Sequence, residues 1–82
     1  MIEVYGKPDC GYCTKAKELL EERKVPFKYY TVGEDIDARS LVERFPGIRT
    51  VPVVVSNGSL VGGFDDLKSY IEDTTNGHGD DF

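Results

Sequence analysis

Twice within its first 32 residues the chain changes its hydrophobic period, and that restricts the folds open to it. Ile2 to Tyr5 is a short apolar run of strand type, broken by Gly6-Lys7-Pro8-Asp9. From about Gly11 to Lys24 the spacing is helical: Tyr12, Ala16, Leu19 and Leu20 share one stripe, while Lys15, Lys17, Glu18, Glu21 and Glu22 take the other face. Val25-Pro26 ends this helix, because proline disfavours helical geometry in the residue before it, and Phe27 to Val32 supplies a second strand. Two strands joined through a helix pair in parallel by a right-handed crossover.

The rest of the chain adds one element at a time. Gly33-Glu34-Asp35 is a turn with helix-start chemistry, and Ala38, Leu41, Val42 and Phe45 follow at i, i+3, i+4 and i+7 until Pro46-Gly47 stops them. Val53 to Val55 is a β-branched run, Asn57-Gly58 signals a type I′ hairpin, and Leu60-Val61 returns as the antiparallel partner. Asp65 or Asp66 caps a third helix with Leu67, Tyr70 and Ile71 on its apolar stripe. From about Asp73 the composition is that of turns, without periodicity. The expectation is one α/β domain over residues 1–73, ordered βαβαββα, with a four-stranded mixed sheet flanked by three helices. A flexible tail over 74–82 follows it. Eighty-two residues leave no room for a second domain.

Charge and cysteine usage narrow the chemistry. A net charge of -5 gives no basic excess to displace counterions from phosphates, which argues against nonspecific nucleic-acid binding. No basic-plus-apolar leader and no spanning segment is visible, so neither a signal peptide nor a membrane helix is expected. The only two cysteines, Cys10 and Cys13, lie three positions apart, unlike the several bridges of a secreted scaffold; a reducing compartment, the cytoplasm, fits them better.

Their placement at the opening of a helix makes the pair a redox candidate. A thiolate there faces unpaired backbone N–H groups and the positive end of the helix dipole, and a neighbour at i+3 can close a disulfide. Lys7, Lys15 and Lys17 bracket the pair with positive charge, whereas Asp9 opposes thiolate formation at its neighbour. By itself Cys10-Gly11-Tyr12-Cys13 leaves redox, metal-binding and inert readings open. A structural zinc site normally needs four ligands, and the lone His78 falls in the tail.

Three motifs in fixed order carry a more specific resemblance: Lys7 with Cys10-Gly11-Tyr12-Cys13, then Thr50-Val51-Pro52, then Gly62-Gly63-Phe64-Asp65-Asp66. Over roughly residues 1–73 the chain resembles a glutaredoxin of the thioredoxin fold; thioredoxin itself usually carries Trp before its first cysteine, and this chain has none. The resemblance implies a glutathione-dependent thiol–disulfide oxidoreductase acting on protein disulfides and glutathione mixed disulfides. Glutathione would be co-substrate, no metal would take part, and the chain would work as a monomer. Ribonucleotide reductase is among the protein substrates the analogy suggests.

The same resemblance distributes roles. Cys10 matches the nucleophile and Cys13 the resolving thiol. Tyr12 offers a ring face to glutathione, its alternative being a partly buried core aromatic. Pro52 matches a cis-proline, leaving the Val51 backbone to pair in strand fashion with the cysteine of glutathione, with Thr50 alongside. Gly63 permits close approach, Phe64 is a groove wall or equally a core residue, and Asp65 matches the grip on the γ-glutamyl end. Lys7 matches the position that meets the glycine carboxylate, with Arg39 as an assistant. One departure stands out: Gly11 occupies a position where many dithiol members carry Pro. Some members lacking that Pro bridge a 2Fe-2S cluster between two subunits with two glutathione molecules, which is the alternative function.

Overall fold

The computed structural model describes residues 1–75. Its elements are β1 (Ile2–Gly6), α1 (Gly11–Glu22), β2 (Phe27–Thr31), α2 (Ala38–Arg44), β3 (Val53–Ser56), β4 (Ser59–Gly62) and α3 (Phe64–Thr75). They build a four-stranded sheet of order β2-β1-β3-β4. β1 runs parallel to β2 and antiparallel to β3, and β3 pairs antiparallel with β4. This is the βαβαββα mixed sheet of the thioredoxin fold. Helix α3 continues through Thr75, two residues beyond the expected domain end. Residues 76–82 of the expected tail lie outside the described residues.

Alternation along the central strands splits the core in two. Successive strand side chains point to opposite faces, so Ile2, Val4 and Val54 pack with Ala16, Leu20, Leu67 and Ile71 beneath α1 and α3. Tyr5, Val53 and Val55 face the other way and meet Val32 and Leu41 on the α2 side. The unbroken Val53-Val54-Val55 run follows from this position: a central strand covered on both faces needs apolar side chains on both. At the hairpin, Asn57 (φ 51°) and Gly58 (φ 86°) both adopt positive φ, as a type I′ turn requires.

Three helix ends differ from the sequence expectation, each for a local reason. Helix α1 stops at Glu22, not Lys24, because Lys24 takes φ 58° and closes the end. Its N–H donates to the Glu21 carbonyl (3.1 Å), and that of Val25 donates to Leu20 (2.9 Å). That is a Schellman motif with lysine in the left-handed position that glycine usually fills. Helix α2 begins after Asp37, whose carboxylate accepts from the Ser40 N–H at 2.7 Å. Gly33-Glu34-Asp35 is the turn expected, but its helix-start chemistry is spent locally, the Asp35 carboxylate accepting from Thr31 N–H at 2.8 Å.

At α3 neither Asp65 nor Asp66 is the N-cap. Gly63 holds that position, its carbonyl accepting from Leu67 N–H (2.9 Å), and Asp66 reaches back to the Gly63 N–H (3.2 Å). The exchange has the geometry of a capping box with Asp in place of Glu. It also explains Gly62, which sits at φ 133° with the Asp66 carboxylate where any side chain would lie.

Candidate active site

Residues at the carboxyl end of β1 set the position of the cysteines. After Gly6 the chain turns, Cys10 N–H donating to the Lys7 carbonyl at 3.3 Å, and delivers Cys10 in extended geometry as the N-cap of α1. Its sulfur accepts from the Cys13 N–H at 3.2 Å and its thiol donates to the Val51 carbonyl at 3.8 Å. The Cys10 carbonyl takes the first helical bond from Thr14 N–H at 3.1 Å and a second from the Thr14 hydroxyl at 3.3 Å. A sulfur in this place lies against helix-end N–H groups, which favour negative charge.

Cys13, one turn later, lies in a different environment. It shares the inward stripe with Ala16 and Leu20 and is 0% exposed, whereas Cys10 is half-buried. Burial, reinforced by the hydrogen bond and charge of Cys10, pushes the Cys13 thiol up to about 11 against the opposing pull of the Lys7 backbone and Tyr29. At neutral pH Cys13 is therefore a protonated thiol held behind an accessible one.

The helical stripe predicted from sequence loses one member. Tyr12 was expected on the apolar face, but it is 59% exposed at the mouth of α1, while Cys13 points inward and Cys10 sits at the cap, as the helical spacing leads one to expect. The core-aromatic alternative for Tyr12 is thereby overturned. Its ring lies 5.9 Å from that of Phe64, and the Lys15 ammonium sits 5.1 Å from its centroid. Phe64 packs against the α1/α3 core and also lines a groove beside Tyr12.

Tyr12, Thr50, Val51, Pro52, Gly63, Phe64 and Asp65 come together with Asp66 around a groove of about 400 Å³. The Val51-Pro52 bond that crosses it is cis. Lys7 lies in an adjoining cleft of about 340 Å³, which shares Thr50 and Val51 with the groove and is walled by Val32, Leu41 and Ile48. Arg39, the suggested assistant, is exposed and does not line that cleft; Arg49 does. The two spaces meet at Val51, with carboxylates at one end and cations at the other.

Three contributors escaped the sequence reading. Arg49 had a signal, a cation flanking Thr50-Val51-Pro52. Asp66 was read only as a possible cap, and Tyr29, against Cys13, had no signal at all. Among the described residues no group of three or more His, Cys, Asp or Glu side chains gathers to hold a metal, and His78 lies outside them. Among the described residues, no helix is long and apolar enough to cross a membrane.

An accessible sulfur backed by a buried thiol one helical turn away is the arrangement that exchanges disulfides, and the class of protein it defines is a thiol–disulfide oxidoreductase. The glutaredoxin family model matches residues 2–61, and the chain belongs to the glutaredoxin family. It is 33% identical over 66 residues to glutaredoxin 3 of Escherichia coli, covering 80% of each chain. It is also 39% identical over 69 residues to the hybrid peroxiredoxin hyPrx5 of Haemophilus influenzae, matching 84% of this chain but spanning only 28% of that longer protein. The buckwheat glutaredoxin–glutathione complex superposes with a TM-score of 0.74 at 25% identity, covering 89% of this chain and 69% of the other.

Proposed function

We propose that the protein is a glutathione-dependent reductase of protein disulfides and glutathione mixed disulfides. The observation that carries this reading is the division of the pair: Cys10 half-buried against the Val51 carbonyl, Cys13 fully buried behind it. The Cys10 thiolate attacks one sulfur of the substrate disulfide. A bond forms to Cys10, the substrate S–S bond breaks, and the departing thiolate takes a proton. Either glutathione or Cys13 then attacks the sulfur on Cys10, returning or oxidising the pair.

The surrounding residues suit glutathione. Its cysteine pairs with the Val51 backbone beside Pro52 and Thr50, and its body lies between Tyr12 and Phe64. The γ-glutamyl carboxylate meets the N-terminus of α3 at Gly63 and Phe64 while Asp65 takes the ammonium. Lys7, with Arg49 added, meets the glycine carboxylate. The buckwheat relative bound to glutathione supports this assignment by likeness. Protein disulfides, ribonucleotide reductase among them, are proposed as partners in a reducing compartment such as the cytoplasm. Cluster bridging between two copies is favoured by neither the geometry nor the relatives.

A glutathione-coupled reduction assay tests the reading. Cys10→Ser is expected to abolish turnover with every disulfide. Cys13→Ser is expected to retain activity on glutathione mixed disulfides and lose it on protein disulfides. Full activity in Cys10→Ser overturns the assignment.

A further inference from the structure

Gly6, the last residue of β1, sits where β1, α1 and β2 meet, and what surrounds it is unusual. A side-chain carbon at Gly6 would lie 2.8 Å from the Cys13 sulfur, 2.9 Å from the Cys13 β-carbon and in collision with the Tyr29 hydroxyl. Gly6 therefore leaves a space that the sulfur and the phenol share. Tyr29 reaches it from β2, two residues before the Thr31 that pairs with Gly6. Its hydroxyl and the Cys13 sulfur both crowd that one point, which sets the phenol oxygen beside the sulfur. The ring packs against the α1/α3 core and is covered from α1 by the Lys17 ammonium, 5.5 Å from its centroid.

We propose that the Tyr29 hydroxyl is the hydrogen-bond donor that holds the Cys13 sulfur as it becomes the attacking thiolate, which makes Tyr29 a catalytic residue of the resolving step. The proposal rests on the assignment of Cys13 as resolving thiol. In that step Cys13 gives up its proton, and its sulfur bonds to the Cys10 sulfur. The bond from Cys10 to the substrate sulfur breaks, and the leaving thiolate takes up one proton in balance. Tyr29 keeps its own proton throughout.

Burial opposes charge on Cys13, and among the described residues the Tyr29 phenol beside its sulfur is the side chain that eases it. The other groups facing the pair act differently: Cys10 raises the Cys13 thiol, Lys7 contributes only its backbone, and Lys17 faces the ring of Tyr29 rather than the sulfur. The Tyr29 phenol is itself raised, by burial first and then by the charges of Cys13 and Cys10, so it stays a donor over the working range.

Two readouts test the role. In a Cys10→Ser background, the chemical shift of the Cys13 β-carbon follows the titration of Cys13 alone. Tyr29→Phe is expected to move that titration to higher pH. In the protein with both cysteines, release of glutathione from a mixed disulfide on Cys10 is expected to slow roughly tenfold in Tyr29→Phe, the size of one lost charge-assisted hydrogen bond. Its pH profile is expected to be displaced upward. An unmoved titration in Tyr29→Phe overturns the role of Tyr29 while leaving Cys13 as resolver. If Cys13→Ser reduces protein disulfides at full rate, the resolving assignment itself fails, whatever the titrations give.

Discussion

Helices α1 and α2 open with the same hydrogen-bond geometry and different atoms. At α2 the Asp37 carboxylate accepts from the N–H three residues on at 2.7 Å; at α1 the Cys10 sulfur accepts from Cys13 N–H at 3.2 Å. An oxygen is the better acceptor, and Asp ranks among the preferred caps while Cys does not. The α1 cap is thus a poorer one for stability, retained at the end of the sheet where the groove and the Val51 carbonyl meet it. A helix start optimised for holding the fold and one given over to chemistry are set side by side in the same chain.

Exchanging atoms between the two caps tests this contrast. The largest effect is expected from Cys10→Ser, which should remove disulfide exchange in a glutathione-coupled assay while raising thermal stability by up to about 1 kcal/mol, since the hydroxyl caps better. Cys13→Ser should lose protein-disulfide reduction and, because a hydroxyl replaces a buried thiol, lower stability by about 1–3 kcal/mol in denaturant titration.

Helix α1 is also compromised at its other end, where Lys24 sits at φ 58°. Lys24→Gly is expected to stabilise the protein by about 1 kcal/mol with unchanged turnover. Asp37→Ala should lower the melting midpoint and leave the exchange rate alone, the mirror image of Cys10→Ser.

The two starts also differ in how pH touches them. The Asp37 carboxyl is held below 3.8 by hydrogen bonds from Ser40, so its stabilisation of α2 is complete above that value and disappears as pH falls through the lower folded one. Cys13 behaves in the opposite direction. Its thiol is raised from 9.0 to about 11, so the unfolded chain ionises first and stability of the reduced protein declines as pH climbs from about 9 toward 11. Denaturation curves at acid and alkaline pH are expected to separate the two, Asp37→Asn flattening only the acid limb and Cys13→Ala only the alkaline one.

How much of this was legible depended on whether the signal was local. Periodicity marked every element, and Asn57-Gly58 placed the hairpin, because these depend on neighbours along the chain. The α1 end was missed since a lysine fills the left-handed position. The α2 stripe was read from Ala38, where the helix begins, but helix-start chemistry was given to Gly33-Glu34-Asp35, whereas Asp37 is the cap and Asp35 is held by the turn at Thr31. Tyr12 was misassigned to the apolar stripe because the first helical turn lies at the mouth of the site, where a ring can stand exposed.

At the site, resemblance supplied the residues that line the groove, while the packing of Tyr29 against Cys13 was invisible. It depends on the parallel register of β1 and β2 and on the space left at Gly6, which read only as a strand breaker but in fact pairs with Thr31 inside the sheet.

The division of labour between the cysteines is tested most directly by mixing reduced protein with oxidised glutathione, quenching at intervals, and locating the adduct by peptide mass. Glutathione should appear first on Cys10 and then depart as the Cys10–Cys13 disulfide forms, with the adduct persisting on Cys10 in Cys13→Ser. Glutathione found on Cys13, or a Cys10–Cys13 disulfide arising with no Cys10 adduct at any time, would contradict the account.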